Sequence, residues 1–404
     1  MERKKIKFID LFAGCGGLEE GFLQTGLYED VAAVEWLKPQ VETLAHRLET
    51  KWNIADAKDR VLHFDIQREK ELFCGWKDEN FGESKGLDYF VNNSNGLDII
   101  IGGPPCQAYS VAGRVRDENG MRDDYRNYLF EHYLNVVNRY KPKLFVFENV
   151  PGILSAMPDG NHIIDKIKYG FDSIGYEIVN DLKRFAKIDA SDYGVPQSRK
   201  RIIIVGIRKD YFSDPQVKLQ NFYTKILPKY KVDKKISVKE AIGDLPAITP
   251  IENNPKKKEA YAKVECNASW HEARYQSPRD IEIFRMLAAD VESGANEFKS
   301  SKALSKLYEE KVGSKSPIHR YHVLNPDEPS TTIIAHLYKD GNRFIHYDSI
   351  QSRSITPREA ARLQSFDDDF DFVGTRGNVY QMIGNAVPPR LAKAIALAIS
   401  DFLD

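Results

Sequence analysis

Three stretches of the sequence carry residue types that could do chemistry. Cys106 ends the apolar-to-rigid run IIIGGPPC within Ile99 to Ser110. Proline fixes its own φ and restricts the residue before it, so Pro104 and Pro105 present the thiol from a stiff turn. A free cysteine is ordinarily a small buried hydrophobe, the reading given to Cys74 and Cys266, but nothing structural requires a thiol after two prolines. Its thiolate would be a nucleophile once an electropositive neighbourhood favoured ionisation. Glu148 follows the apolar run LFVF, and a carboxyl there is either satisfied by hydrogen bonds or kept for chemistry. Arg199 and Arg201 stand two apart in QSRKR, just before IIIVGI. In an extended segment both point to one face, where they could hold Glu148, a substrate oxygen or a phosphate.

These residues need a scaffold, and the first half of the chain alternates in a way that supplies one. Strand candidates are Ile6 to Phe12, Val31 to Val34, Val61 to Phe64, Leu97 to Ile101, Leu144 to Phe147 and Ile202 to Ile207. Between them lie helix-like segments such as Tyr128 to Tyr140, with Leu129, Tyr133, Val136, Val137 and Tyr140 near helical spacing. The pattern predicts an α/β fold with a parallel, doubly wound sheet, whose ligands bind at the carboxyl ends of the strands. Cys106 and Glu148 would emerge on that edge. The segment from Cys74 to Asn95 is polar, Gly-rich and aperiodic, and reads as a surface insertion.

A second site is expected on the same edge. FIDLFAGCGG, Phe8 to Gly17, is a strand running into a glycine turn and then helix-like sequence. The dinucleotide fingerprint GxGxxG fails, because Glu19 occupies the third glycine position, and no basic residue in the turn awaits a phosphate. Glu35 follows the second strand where an acid can bind ribose hydroxyls, Trp36 could stack on a purine, and Asp65 after the third strand could accept from an adenine amino group. The three sketch a pocket for an adenosine group without pyrophosphate, with S-adenosylmethionine the expected ligand.

Bulk properties exclude several classes. The chain has 404 residues, 42% hydrophobic and 29% charged, enough for two domains. No stretch approaches the roughly 18 apolar residues of a membrane helix. The start, MERKKIKFIDLFAG, runs from charge into a strand pattern and does not read as a signal peptide. Four cysteines at 15, 74, 106 and 266 form no CxxC pair, so neither a disulfide framework nor a metal site is expected, and a cytoplasmic setting fits. A net charge of −1 means that any nucleic-acid surface must be local. Lys183, Arg184 and Lys187, then Lys225, Lys229, Lys231, Lys234 and Lys235, then Lys256 to Lys258, are basic clusters, each of which alone reads as a solvated face.

Past about Lys209 the chain becomes Lys-rich and irregular until about Tyr347. A first domain over 1–210, completed by 375–404, and a second over 211–374 are expected. Two helix starts follow the irregular region. TPRE, Thr356 to Glu359, has a capping-box pattern with Pro at the first helical position, and Pro389 opens the apolar run RLAKAIALAISDFL.

In order along the chain, DLFAGCGG, GGPPCQ, ENV, QSRKR, RSITPREAARLQSF and QMIGNAVPP resemble the motifs of the DNA cytosine-5 methyltransferases. The resemblance spans most of the chain apart from the insertion and the Lys-rich middle. It implies an S-adenosylmethionine-dependent catalytic domain and a smaller target-recognition domain, acting on a flipped-out cytosine in duplex DNA. Carried over by position, it makes Cys106 the nucleophile, Glu148 the group at cytosine nitrogen 3, Arg201 a contact to the target base and Arg199 a brace. The cofactor pocket would be lined by Phe12, Glu35, Trp36, Asp65, Ile66, Pro105, Leu129 and Asn385, with backbone contacts from Cys15, Gly16 and Gly17. The expected setting is a prokaryotic restriction-modification enzyme, monomeric and paired genetically with a restriction endonuclease. Target choice would reside in Tyr211 to Tyr347, where Thr331 and Thr332 could touch phosphate.

Two alternatives remain. One is methylation of tRNA cytosine by the same fold, whose members carry a Cys-Phe-Thr element; here Cys266 is followed by Asn267 and Ala268. The other is a catalytically silent DNA-binding protein. A nicotinamide-dependent oxidoreductase fails on the missing third glycine.

Overall fold

A computed structural model describes residues 4–105, 128–157, 160–251, 259–313, 321–339 and 341–404. Two compact units emerge. The first comprises Met1–Gly194, Arg199–Asp233 and Ala386–Asp404; the second comprises Val195–Ser198 and Lys234–Asn385.

The first unit is a mixed α/β fold. Its strands are β1 (Ile6–Leu11), β2 (Tyr28–Glu35), β3 (Val61–His63), β4 (Trp76–Asp78), β5 (Gly82–Ser84), β6 (Ile99–Gly102), β7 (Leu144–Asn149), β8 (Tyr176–Ile178), β9 (Lys187–Asp189) and β10 (Lys200–Arg208). The main sheet runs in the order β3-β2-β1-β6-β7-β10-β8, with β9 also on β10. Pairings from β3 to β7 are parallel, whereas β10 lies antiparallel to β7, β8 and β9. The sheet is therefore parallel at its centre with an antiparallel edge, not parallel throughout. Ile99, Ile100, Ile101 and the run Leu144 to Phe147 have no exposed surface, as expected of strands covered on both faces.

Helices cover the sheet. Gly17–Leu23 follows β1, and Leu129–Tyr140 follows β6 in chain order. From the latter, the Tyr133 hydroxyl lies 3.1 Å from the Ile100 carbonyl of β6 and 2.9 Å from the Val146 carbonyl of β7. The last helix, Pro389–Leu403, packs as its apolar sequence suggests, and the Tyr28 hydroxyl of β2 donates to its Ala396 carbonyl at 2.6 Å. The insertion is built rather than irregular: helix Glu69–Cys74, the β4–β5 hairpin and helix Gly86–Asn93.

In the second unit, helices Pro278–Ser293 and Ser301–Val312 close on a core of Ile283, Phe284, Leu287, Leu307, Tyr321 and Ile345. Helix Pro357–Leu363 begins with the expected capping box, Thr356 and Glu359 bonding reciprocally behind Pro357. Arg353 donates to both oxygens of Glu359, at 2.7 and 2.6 Å, and this pair is buried. The RSITPREAARLQSF motif is thus an internal brace of this unit.

The unit boundaries differ from 210 and 375. Residues 211–233 pack with the first unit because the Tyr223 hydroxyl donates to Ile203 O and accepts from Val205 N, both at 2.8 Å, strapping β10. Residues up to Asn385 stay with the second unit, where the buried Tyr380 hydroxyl donates to Ile355 O at 2.7 Å.

Candidate active site

The strand register places Glu148. It lies on β7 opposite Ile203 of β10, one residue past the Phe147–Gly102 pair of the neighbouring β6. Arg201, at the start of β10, donates from Nε to Glu148 Oε1 at 2.9 Å, with the side chains only 12% and 13% exposed. Oε2 faces the glycine turn: a Cβ built on Gly103 would come within 3.0 Å of it. A side chain at 103 would press on the acid, which would have to give by a few tenths of an ångström. The next residue is tied in as well, since Asn149 Nδ2 donates to the Pro104 carbonyl at 3.3 Å. The acid, its arginine and the GGPP turn form one cluster at the carboxyl end of the central strands. Asn149 was legible only as part of ENV; its bond to the turn could not be read from spacing.

Arg199 takes a different position from Arg201. It is buried, its Nη2 donates to the Ala386 carbonyl at 3.1 Å, and its backbone is tied to Asp189 and Ala190. Burial, reinforced by the Arg201 cation, pushes its proton affinity well down, and Glu148 opposes this. The cation is therefore close enough to sense both partners, yet its described hydrogen bond goes to backbone. Gln197 of the same motif belongs to the second unit, where Nε2 donates to Leu363 O at 3.1 Å and Oε1 accepts from Ile333 N at 2.8 Å. Cys106, the expected nucleophile, lies outside the described residues; Pro105, the last described residue before it, is half-buried.

Glu35, expected to hold adenosine, ends β2. Its Oε2 accepts from Gly14 N at 2.9 Å and its Oε1 from Leu37 N at 2.8 Å. Burial raises its proton affinity, and the Leu37, Gly14 and Trp36 amides counter it. A carboxylate has about four acceptor positions, so a ribose hydroxyl can still be accommodated. Phe12 adopts a left-handed backbone with φ of 59°, rare for a non-glycine residue and a mark of a constrained turn. Gly16, at φ of 87°, heads helix Gly17–Leu23, and a Cβ there would strike Leu44 at 2.5 Å. Trp36 is 48% exposed and so is not core. Asp65 bonds Gln67 N and Nε2 through Oδ1 at 3.0 and 3.3 Å; no described residue bonds its Oδ2. Ile66 and Leu129 are buried apolar residues. Cys15 is buried and its thiol is pushed up to about 12, which leaves it a neutral wall rather than a nucleophile. Asn385 closes helix Arg376–Asn385 of the second unit and is exposed. An indole with open surface, a clamped acid and a carboxylate oxygen to spare fit an adenosine group.

Beneath this turn lies a feature the sequence reading missed. Asp10 of β1 and Glu19 of the first helix are both buried, without a hydrogen-bond partner among the described residues. Burial, followed by the charge of Asp30, pushes both carboxyls well above the usual range; Glu35 adds to this at Asp10, and Asp10 and Glu20 add to it at Glu19. Both are charged residue types in a strand or helix pattern, and periodicity alone does not separate such acids from solvated ones.

The sequence profile of C-5 cytosine-specific DNA methylases matches residues 6–401. The chain belongs to this family. The methylase is 32% identical over 453 residues to the Type II methyltransferase M.Bpa9945I of Bacillus paralicheniformis, covering 98% of this chain and 99% of that one. It is 31% identical to M.DdeI of Desulfomicrobium norvegicum, covering 99% and 89% of the two chains. Among solved structures, a prophage-encoded DNA modification methyltransferase of E. coli superposes with a TM-score of 0.64 at 25% identity, covering 99% of both chains. The S. pombe Dnmt2 methyltransferase shares the fold, at a TM-score of 0.54 and 15% identity. Membership makes the methylase an S-adenosylmethionine-dependent enzyme that acts on DNA cytosine, in keeping with a restriction-modification setting. No helix among its described residues is long and apolar enough to cross a membrane.

Proposed function

We propose that the methylase transfers the methyl group of S-adenosylmethionine to carbon 5 of one cytosine in a specific duplex sequence, with the base rotated out of the helix and bound covalently to Cys106 during transfer. The observation that carries the reading is the Glu148–Arg201 pair set against the GGPP turn that leads to Cys106. Carbon 5 of cytosine is a poor nucleophile. Addition of the Cys106 thiolate at carbon 6 makes it enamine-like, provided that nitrogen 3 is protonated or strongly hydrogen-bonded. With Oε1 taken by Arg201, Glu148 offers Oε2, on the side of the turn, to nitrogen 3. Arg201 keeps the carboxyl oriented and adds positive charge that favours the thiolate. Arg199 braces the strand ends through Ala386.

When bound, S-adenosylmethionine supplies an electrophilic methyl on a positive sulfonium. Glu35, Trp36 and Asp65 would hold its adenosine end, and Phe12, Ile66 and Leu129 would exclude water. After transfer, carbon 5 loses its proton to water and the sulfur–carbon 6 bond breaks, returning the thiolate. Base flipping is required because the ring faces are inaccessible in the stack.

In this reading the second unit selects the target sequence. Support comes from an exposed basic and aromatic surface. Tyr275 and Tyr338 are exposed, Arg274 Nη1 donates to Tyr338 O at 3.3 Å, and Lys339 Nζ lies 5.2 Å from the Tyr338 ring. His336 and Arg343 are exposed nearby in sequence. Cations of this kind suit phosphates and base edges. Thr331 is exposed, whereas the Thr332 hydroxyl is committed to Ser198 O at 2.7 Å. The methylase would act as a monomer beside a partner endonuclease.

Tritiated S-adenosylmethionine offered with duplex DNA and with tRNA tests the proposal. Label is expected in DNA alone; label in tRNA alone would overturn it in favour of the RNA reading.

A further inference from the structure

The insertion between β3 and β6 ends beside the expected adenosine site. Phe81 sits in the turn of the β4–β5 hairpin, just before Gly82 opens β5. Hairpin side chains fix its backbone. Phe81 N donates to Asp78 Oδ1, and Phe81 O accepts from the Trp76 indole, both at 3.2 Å. Arg68 Nη1 in turn donates to Asp78 Oδ2 at 2.7 Å and also bonds Glu71, so the aspartate is held from the far side.

The ring of Phe81 reaches the residues at the ends of β2 and β3. It meets Trp36 edge to face, with centroids 6.4 Å apart and planes at 73°. It also meets His63 at 5.1 Å and Phe64 at 5.3 Å. Phe64 stacks on Trp76 at 3.9 Å, and the Arg68 guanidinium lies 4.8 Å from Phe64 and 5.8 Å from Phe81. The backbone of Trp36 is pinned separately, its carbonyl lying 2.9 Å from His63 Nε2. The indole itself remains half exposed. With its backbone fixed and its side chain open to solvent, an indole keeps rotamer freedom unless a neighbour removes it, and lost rotamer freedom is a cost of binding. Of the contacts described for the Trp36 ring, the aromatic one is with Phe81.

We propose that Phe81 is a positioning residue for the cofactor site, holding the Trp36 indole in the orientation whose free face stacks on the purine. The insertion then belongs to the binding site rather than to the surface. The proposal rests on the reading that Glu35, Trp36 and Asp65 take adenosine.

The test titrates the full-length protein with S-adenosylhomocysteine by calorimetry. Phe81→Ala is expected to raise Kd roughly three- to tenfold, the size of a lost aromatic pair. Phe81→Tyr should restore wild-type affinity. Should Phe81→Ala melt too low to measure, Phe81→Leu keeps the bulk without the aromatic edge and should show the same rise. In turnover, the effect is expected on KM for S-adenosylmethionine more than on kcat. In a Trp36→Ala background, Phe81→Ala should add little. Wild-type affinity in both Phe81→Ala and Phe81→Leu would overturn the role of Phe81 alone. So would a full additional loss in the Trp36→Ala background. Failure of the wild-type protein to bind S-adenosylhomocysteine would overturn the adenosine reading as well.

Discussion

Glu148→Gln asks whether charge, and not shape, is what the site needs from this residue. Glutamine is nearly isosteric and still presents an oxygen to Arg201 Nε, so the 2.9 Å contact and the packing against Gly103 can persist. Glu148→Ala would instead leave Arg201 without its acceptor and mix a folding effect with a chemical one. What glutamine cannot do is give a proton to cytosine nitrogen 3 or accept a charge-assisted bond from it. Hydrogen bonds to charged groups contribute about 1.5–3 kcal/mol, roughly twice the neutral value. If Glu148 makes that bond only as carbon 5 becomes nucleophilic, kcat should fall roughly 10- to 150-fold at 1.36 kcal/mol per tenfold. The assay is tritiated methyl transfer to duplex DNA with both substrates saturating, beside calorimetric binding of S-adenosylhomocysteine. The expected result is reduced kcat with unchanged cofactor Kd. A kcat within threefold of wild type would refute the role, because it would mean that nitrogen 3 is activated by something else.

Cys106→Ser should abolish methyl transfer while leaving S-adenosylhomocysteine affinity intact, because the thiol serves the pyrimidine and not the adenosine; normal turnover would remove the nucleophile assignment. Gly16→Val meets both a φ of 87° and Leu44 at 2.5 Å, so a loss of at least about 1 kcal/mol of stability is expected by thermal melting; an unchanged melting temperature would show that the turn is looser than described. Lys339→Ala and Arg343→Ala should each reduce the slope of log K against log salt for duplex DNA by about 1, if each meets one phosphate; an unchanged slope would exclude that surface. Glu359 is held down to about 2, where burial alone would raise it, because Arg353 bonds it and His346 lies beside it. A depressed carboxyl stabilises the fold above its unfolded value of about 4.3, and that stabilisation is lost as pH falls toward 2. His346 is lowered to about 4 by burial, so it too favours unfolding as pH falls below about 6.5. Arg353→Ala should therefore move acid unfolding to higher pH, as followed by near-ultraviolet circular dichroism; an unmoved midpoint would show that the pair does not hold the unit together.

The sheet was legible where strands are long and apolar. β6, β7 and β10 announce themselves because both faces are covered, and their runs of Ile, Val, Leu and Phe are what such burial requires; β1 is legible despite Lys7 and Asp10 among its apolar residues. β8 and β9 have three residues each and mixed composition, too short to set a period. The same brevity hid the insertion, whose helices have six and eight residues, and with it Phe81. Of the site, Glu148 and Arg201 could be nominated from their types and spacing, but the assignment of one oxygen to each neighbour depends on the antiparallel pairing of β10 with β7, which no local signal encodes. Spacing alone puts Arg199 and Arg201 on one face of an extended segment, and only the family resemblance gave them different roles. The structure separates them, one on a carboxylate and the other on a backbone carbonyl almost two hundred positions away along the chain. Such long-range partners are where reading by spacing runs out.

Methyl transfer by this chain to carbon 5 of a chosen cytosine in DNA is proposed to pass through Cys106. Sequencing of bisulfite-converted DNA from cells expressing the wild-type chain, beside cells expressing Cys106→Ser, measures this directly. Protected cytosines are expected at one fixed position within one short recurring sequence, and are expected to be absent from the variant. No protected cytosines with the wild-type chain, or the same pattern with Cys106→Ser, would contradict it.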